Sequence, residues 1–561
     1  MLKACFAAGK TLTGGFAKDL RSMPGPGSLL RGTGICLFAM IFFVCLKGAS
    51  AAPAYPGIAK PEGRTCFVNE KALKARLETI KKFAPGLAPP IAATSYKLAV
   101  IRIDFSDSTM TKTLAVTTTY FTSFKNFYLE NSYNLLTVNP TVSDGGTGKQ
   151  GAYRMPKTHA YYANGKNSKY TELYRDAIAV ATTSGFNFST YDHVMIYHAG
   201  AGAETTSSSN IWSQYNPTLN VIFIPETEGN GKDPLGTYCH EYGHQLGLPD
   251  LYNTATGATT VGYWSLMDAG GFAGSTPGAN PSHLDAWSKQ FLGFSSPETA
   301  AFTYGLNKSL SQAETARAAF LKIPVMTGDV SGYNEYFFAE YRRKAGAVFD
   351  AGLPGQGLLI WHVDDSVASD PSVLAMNNVN AVSLRPGVGL VSADTSKPSA
   401  SSGDAGDPWS DTSLYTTFQS PMSNSYSGNC TGIVISNISG AGSANISFTL
   451  KDAFDNPAVR NNTQAGGVVI TGGEKGYVNP ALGENVIIAL RSVKFGPVEI
   501  KIFSITGDMV FSKSLTGNVN QQDVVQWDCK NTFGDTVASG IYLIYIGGGG
   551  LDVTKKVAIA R

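Results

Sequence analysis

The 561 residues carry a formal net charge of +2, with 15% of them charged and 61 glycines. A chain of this length exceeds a single hydrophobic core and calls for two or three domains. The near-neutral balance offers no basic stripe and argues against a nucleic-acid partner.

From the N-terminus, Gly34 to Leu46 (GICLFAMIFFVCL) is apolar but only thirteen residues long, with Arg31 before it and Ala49-Ser50-Ala51 after it. A membrane span needs about 20 residues, so 1–51 reads as a signal peptide cut after Ala51. No later stretch is long enough to span a bilayer, and the mature chain is expected to be secreted with no transmembrane span. Residues 52–94 are Pro-rich around one basic amphipathic helix, Glu70 to Phe83, with Leu73, Leu77 and Ile80 at helical spacing. They read as a propeptide, with a plain N-terminal arm as the alternative. Four of the seven cysteines survive cleavage (Cys66, Cys239, Cys430 and Cys529), which allows three pairings.

Next, Lys97 to Phe105, Asp192 to Ala199 and Val221 to Ile224 are β-branched runs that predict strands. Helical patterns at Tyr120 to Tyr133 and Ser168 to Thr182 lie between them. This alternation predicts a twisted mixed sheet flanked by helices. Then comes Cys239-His240-Glu241-Tyr242-Gly243-His244-Gln245-Leu246-Gly247-Leu248-Pro249-Asp250. Asp233-Pro234 predicts a helix start and Gly247 its stop. His240 and His244, four apart, share one helical face and can reach one ion. Glu241, one residue round, can touch an ion-bound water without being a ligand. Asp250 is the first side chain past the turn able to return to the ion. Two imidazoles, one carboxylate and an open position make a catalytic rather than a structural Zn²⁺ site. His283 is the rival third ligand, but it falls in the first turn of a helix predicted to open at Asn280-Pro281 and end at Gly293.

From Thr303 to Leu450 the pattern turns to strands and long loops. Gly357 to Val363 (GLLIWHV) predicts a buried strand in which His362 is a core histidine. Asp364, Asp365, Asp404 and Asp407 lie in acidic turns, which are either solvated or able to hold Ca²⁺ through carboxylate and backbone oxygens. Residues 451–475 read as a linker. In 476–561, Val498, Ile500 and Ile502 alternate with Glu499 and Lys501, and Thr506-Gly507-Asp508 suits a tight reversal.

HEYGHQLGLPDLYN with VGYWSLMDAGGF resembles the immune inhibitor A family of secreted bacterial zinc metallopeptidases, as do FKNFYLENSYNLLTV, HAGAGAETTSSSNIW, PSHLDAWSKQFLGF, EYFFAEYRRKAG and GLPGQGLLIWHVDD. The resemblance implies a metzincin-like fold over 95–450, with a methionine turn at Ser265-Leu266-Met267-Asp268 below the metal. It also implies calcium stabilisation. Such families place an oxyanion-supporting tyrosine two residues past the methionine. Here that position is Ala269, with Tyr252 and Tyr263 the substitutes nearest in sequence. WDCKN and VASGIYL near the C-terminus are similar to hook-capping Ig-like and secretion-sorting modules, implying a small β-sandwich with secretion machinery as a partner.

The expectation is therefore an α+β chain: a zinc peptidase domain with a twisted mixed sheet, a β-rich second half and a C-terminal Ig-like β-sandwich. Its expected activity is zinc-dependent endopeptidase cleavage of protein or peptide substrates, with Glu241 as general base. The rival class is a non-catalytic secreted adhesin or binding protein on a protease-derived fold. A site completed by a downstream glutamate is disfavoured, since the next one is Glu298. No G-x-S-x-G elbow supports a serine hydrolase.

Overall fold

The computed structural model describes residues 93–561 except 164–168, 204–209, 230–231, 301–305, 326–334, 346–347, 395–401, 412–414, 417–422, 427–430, 453–465, 472–476 and 518–521. The stretches read as signal peptide (1–51) and propeptide (52–94, apart from Ala93 and Thr94), with the helix expected in the latter, and Cys66 and Cys430 lie outside the described residues. No described helix is long and apolar enough to cross a membrane.

The first layer is a sheet with strand order β2-β1-β3-β5-β4, formed by β1 (Thr94–Asp104), β2 (Leu136–Val142), β3 (His193–Ala201), β4 (Gln214–Asn216) and β5 (Val221–Thr227). All these neighbours are parallel except β4, which runs antiparallel along the edge of β5. Helix α1 (Leu114–Asn131) and helix α2 (Tyr170–Thr183) cross between the strands, giving the mixed sheet expected. Helix α1 opens six residues earlier than its apolar pattern predicts. Thr113 caps it, and Thr117, Thr118, Thr119 and Thr122 turn their hydroxyls back onto carbonyls four residues before them. The residues that hide the helix from a periodicity reading are accommodated by bonding the helix itself.

Helix α3 (Leu235–Gln245) is buried along its whole length. Tyr238 and Tyr242 face the first layer, where Phe121 stacks on Tyr238 at 5.7 Å and Phe124 meets Tyr242 edge-on at 5.2 Å. Two residues on a helix amount to about 200° of rotation, so His240 and His244 face the opposite way. Helix α4 (Ala286–Leu292) ends at Gly293 in the left-handed region as expected, but begins at Asp285 rather than at Pro281. The reason is tertiary. The N–H groups of Ser282, His283 and Leu284 go to the Gly270 carbonyl, Asp350 and Asn131, which holds the segment out of the helix.

The second half adds a sheet with antiparallel strands β6 (Phe320–Pro324), β7 (Glu335–Arg342), β8 (Gly357–Asp364) and β9 (Val388–Val391) in sequential order. One core cluster spans both halves, from Leu98 and Phe121 through Tyr238 and Met267 to Trp361 and Val388. The two halves therefore form one hydrophobic unit. At the C-terminus, two antiparallel sheets share a separate core of Val486, Ile488, Ile500, Ile544 and Trp527. The stretch read as a linker, 451–475, contributes Val468–Thr471 to that unit by pairing with Val486–Arg491. Its apolar run was too short to register as a strand.

Because the two cores are separate, a chain of residues 52–465 is expected to be soluble and to unfold in one cooperative transition, read by circular dichroism. An aggregated or molten product contradicts the division.

Candidate active site

Helix α3 starts where expected. Pro234 already has helical angles, and the Asp233 carboxylate accepts the Leu235 N–H at 3.0 Å. It stops at Gly247 (φ 101°), with the Leu248 N–H on the Gly243 carbonyl and the Gly247 N–H on the His244 carbonyl. This paired closure satisfies the orphan carbonyls and turns the chain back. It also puts the Leu248 carbonyl 2.8 Å from His244 Nδ1, while the Leu266 carbonyl stands 3.0 Å from His240 Nδ1. A ring nitrogen facing a carbonyl carries the proton, so both Nε2 atoms present lone pairs.

Those two Nε2 atoms lie 3.1 Å apart, and Asp250 Oδ1 sits 3.1 Å from one and 3.3 Å from the other. All three side chains are buried. Burial depresses the His240 pKa, keeping it neutral. Two lone pairs and a carboxylate oxygen converging in a buried site repel one another unless a cation lies between them. A tetrahedral Zn²⁺ about 2.0–2.1 Å from each donor would set them about 3.3 Å apart, which is the spacing found here. The donors fit the ion. Among the described residues this is the only group of three or more His, Cys, Asp or Glu placed to share a metal.

Glu241, also buried, accepts the Tyr215 N–H at 2.6 Å through Oε2, so edge strand β4 holds it beside the donors. Met267 is buried beneath α3. A Cβ on Gly243 would meet its sulfur at 2.6 Å, and one on Gly236 would meet the Gly271 carbonyl oxygen at 1.8 Å. These glycines let the helix seat on the 265–272 turn. His283 is elsewhere: its Nε2 meets Glu130 at 2.7 Å and its Nδ1 meets Lys289 at 3.0 Å.

Tyr252 is buried in a small cluster with Ala203 and Trp212, and the Tyr263 N–H donates to the Ser402 carbonyl. Cys239 is a buried free thiol, as is Cys529. His362 stacks on Tyr426 and meets Glu335 at 2.9 Å, a core histidine as read.

The four aspartates of the acidic turns fall in two separate places: Asp364 and Asp365 are adjacent at the end of β8, and the Asp404 N–H donates to the Asp407 carboxylate at 2.7 Å. Asp364 pairs with Arg385 and Ser366, and Asp365 accepts from Tyr336 and Ser369. Asp404 accepts the Gly406 N–H, and Asp407 takes the Trp264 indole at 2.9 Å. Protein donors thus reach at least one oxygen of each of these carboxylates.

The sequence reading missed two neighbours of the site, Tyr215 and Asn377. Asn377, 127 residues beyond Asp250, both accepts the Asp250 N–H and donates to Asp250 Oδ2, each at 2.6 Å. No local pattern signals either contact.

Residues 221–296 match the profile of the immune inhibitor A peptidase M6 catalytic domain, and 476–560 match a secretion system C-terminal sorting domain. The chain thus has one segment similar to the immune inhibitor A catalytic domain and one similar to a secretion sorting tail. It is 30% identical over 225 residues to the pre-pro-metalloprotease PrtV of Vibrio cholerae, covering 31% of this chain and 24% of that protein. It is 29% identical over 217 residues to immune inhibitor A of Bacillus thuringiensis, covering 30% and 31% respectively. The chain thus spans about a quarter to a third of the length of the curated relatives it matches. Among solved structures, OgpA of Akkermansia muciniphila overlays 84% of this chain and 95% of its own at 10% identity, with a TM-score of 0.25. The sorting tail supports an extracellular or cell-surface location, as the N-terminal segment leads one to expect.

Two predictions follow from the geometry. In a zinc titration, Asp250→Ala should lose most of its metal affinity and His283→Ala should keep it; the reverse pattern overturns the donor set. Gly236→Ala, whose new methyl meets backbone rather than a flexible side chain, should cost at least about 2 kcal/mol in denaturant unfolding. A wild-type midpoint would mean that the helix is not seated as described.

Proposed function

We propose that the chain is a secreted zinc-dependent endopeptidase, with His240, His244 and Asp250 as ligands and Glu241 as general base. The observation that carries this reading is the convergence of three buried acceptors at tetrahedral spacing beside a second carboxylate, that of Glu241. We read the first layer, α3 and the Met267 turn as a metzincin-like zinc peptidase, and the C-terminal unit as an Ig-like sandwich recognised by secretion machinery.

Zinc in such a site supplies Lewis acidity toward a carbonyl and a water acidified toward neutrality. The protein's own part is proton handling and orientation. Glu241 takes the proton of the attacking water on its carboxylate and delivers it to the leaving amine. The Tyr215 N–H fixes the Glu241 carboxylate through Oε2. The Nδ1–H bonds of His240 and His244 to backbone carbonyls hold both rings in the ligating tautomer.

Strand β4 also offers a place for substrate. The Tyr215 N–H points at Glu241 rather than at β5, so the open edge of β4 faces the general base. An extended peptide pairing with that edge would run its backbone past the site. A non-catalytic adhesin would have no use for a buried glutamate held there.

Glu241→Gln removes the proton acceptor and leaves the ligands. It should retain zinc and lose roughly three or more orders of magnitude in peptide-bond cleavage. Near-wild-type proteolysis by a variant of confirmed zinc content would falsify the role.

A further inference from the structure

We propose that Asn377, supplied by the β-rich half, is a positioning residue that makes Asp250 a one-oxygen ligand and thereby sets the metal affinity of the site. The inference rests on the zinc-peptidase reading and adds a residue that the motif does not contain.

Asn377 follows the short helix Pro371–Ala375 and lies in the left-handed region at φ 55°. Its N–H bonds the Leu374 carbonyl, and the Asn378 N–H bonds the Val373 carbonyl, closing the helix. Glycine is the usual residue at such a closure, and asparagine is the tolerated alternative. Asparagine here gives the turn a side chain, and that side chain is fully used. Its amide oxygen accepts the Asp250 N–H at 2.6 Å, and its amide nitrogen donates to Asp250 Oδ2 at 2.6 Å. Only a carboxamide offers one acceptor and one donor in a plane at this reach.

The consequence for Asp250 is geometric. With Oδ2 engaged by the amide, Oδ1 is the oxygen left facing His240 and His244. Both partners are buried, Asn377 at 1% exposure and Asp250 at 0%, so no water substitutes freely when the amide is lost. Neighbouring contacts reinforce the clamp. Asn380 donates to the Leu251 and Val388 carbonyls, and Asn253 donates to the Ala381 carbonyl. The loop carrying the third ligand is thus held by the second half of the domain.

The test uses Asn377→Gly, which keeps the left-handed backbone without strain and removes only the amide. The control is Asn437→Gly, at φ 52° on a surface strand remote in sequence from the site. Zn²⁺ affinity is measured on the full chain by competition with a chromogenic chelator. Asn377→Gly is expected to bind about 10- to 100-fold more weakly than wild type, with the control unchanged. In Co²⁺-substituted protein, freeing Oδ2 to bind as well should raise the coordination number and weaken the visible absorption, which a purely structural loss would not do.

Asn377→Asp, which keeps the shape and replaces the donor by an acceptor, carries the same expectation should the glycine variant fold poorly. Affinity within about threefold of wild type in either folded variant overturns the role of Asn377. Absence of zinc binding by the wild type overturns the underlying peptidase reading instead.

Discussion

Two imidazole lone pairs and a carboxylate oxygen, all buried and within 3.3 Å of one another, form an arrangement that is unfavourable without a cation. Much of the surrounding structure keeps those atoms from moving apart. The Leu248 and Leu266 carbonyls hold the proton on the far side of each ring. The helix that carries both histidines has no exposed face and no polar surface to swing toward solvent. Its tyrosines are committed to the sheet, the Tyr238 hydroxyl to the Pro225 carbonyl at 2.6 Å and the Tyr242 hydroxyl to His193 at 2.8 Å. Packing on every side of the helix therefore holds the three donors at this spacing.

Packing of this kind needs very close approach, and glycine provides it where it counts. Gly236 and Gly243 let α3 lie directly on the 265–272 turn, so the turn can offer the Leu266 carbonyl to His240. The turn is itself anchored from below. Leu266 donates its N–H to the His283 carbonyl, His283 donates its own to Asp350, and Arg342 bonds both Asp350 and the Trp264 carbonyl. This links one imidazole to β7 in the second half through an unbroken series of hydrogen bonds. Asn377 links the carboxylate to the same half by a different route. The β-rich region is thus part of the site's scaffold rather than an appended module.

The parts of this account legible in the sequence are the local ones. The four-residue spacing of His240 and His244, the stop at Gly247 and the return at Asp250 depend on helix geometry and turn chemistry, which act over a few residues. The alternation of Tyr238, His240, Tyr242 and His244 carries both faces of the helix in seven positions. Where the reading went astray, distant partners decided the outcome. Pro281 is a good first helical residue, yet the N–H groups after it are claimed by Gly270, Asp350 and Asn131. Asn377 bears on Asp250 from 127 residues away and leaves no periodic or motif-level trace.

The central claim is that one ion sits among His240, His244 and Asp250, bound through a single carboxylate oxygen. An anomalous difference map collected at the zinc edge from crystals of the protein addresses it directly. The account predicts one peak about 2.0–2.2 Å from His240 Nε2, His244 Nε2 and Asp250 Oδ1, with Oδ2 left to Asn377. A peak on His283 or on the acidic turns, with these three side chains free of metal, would contradict it.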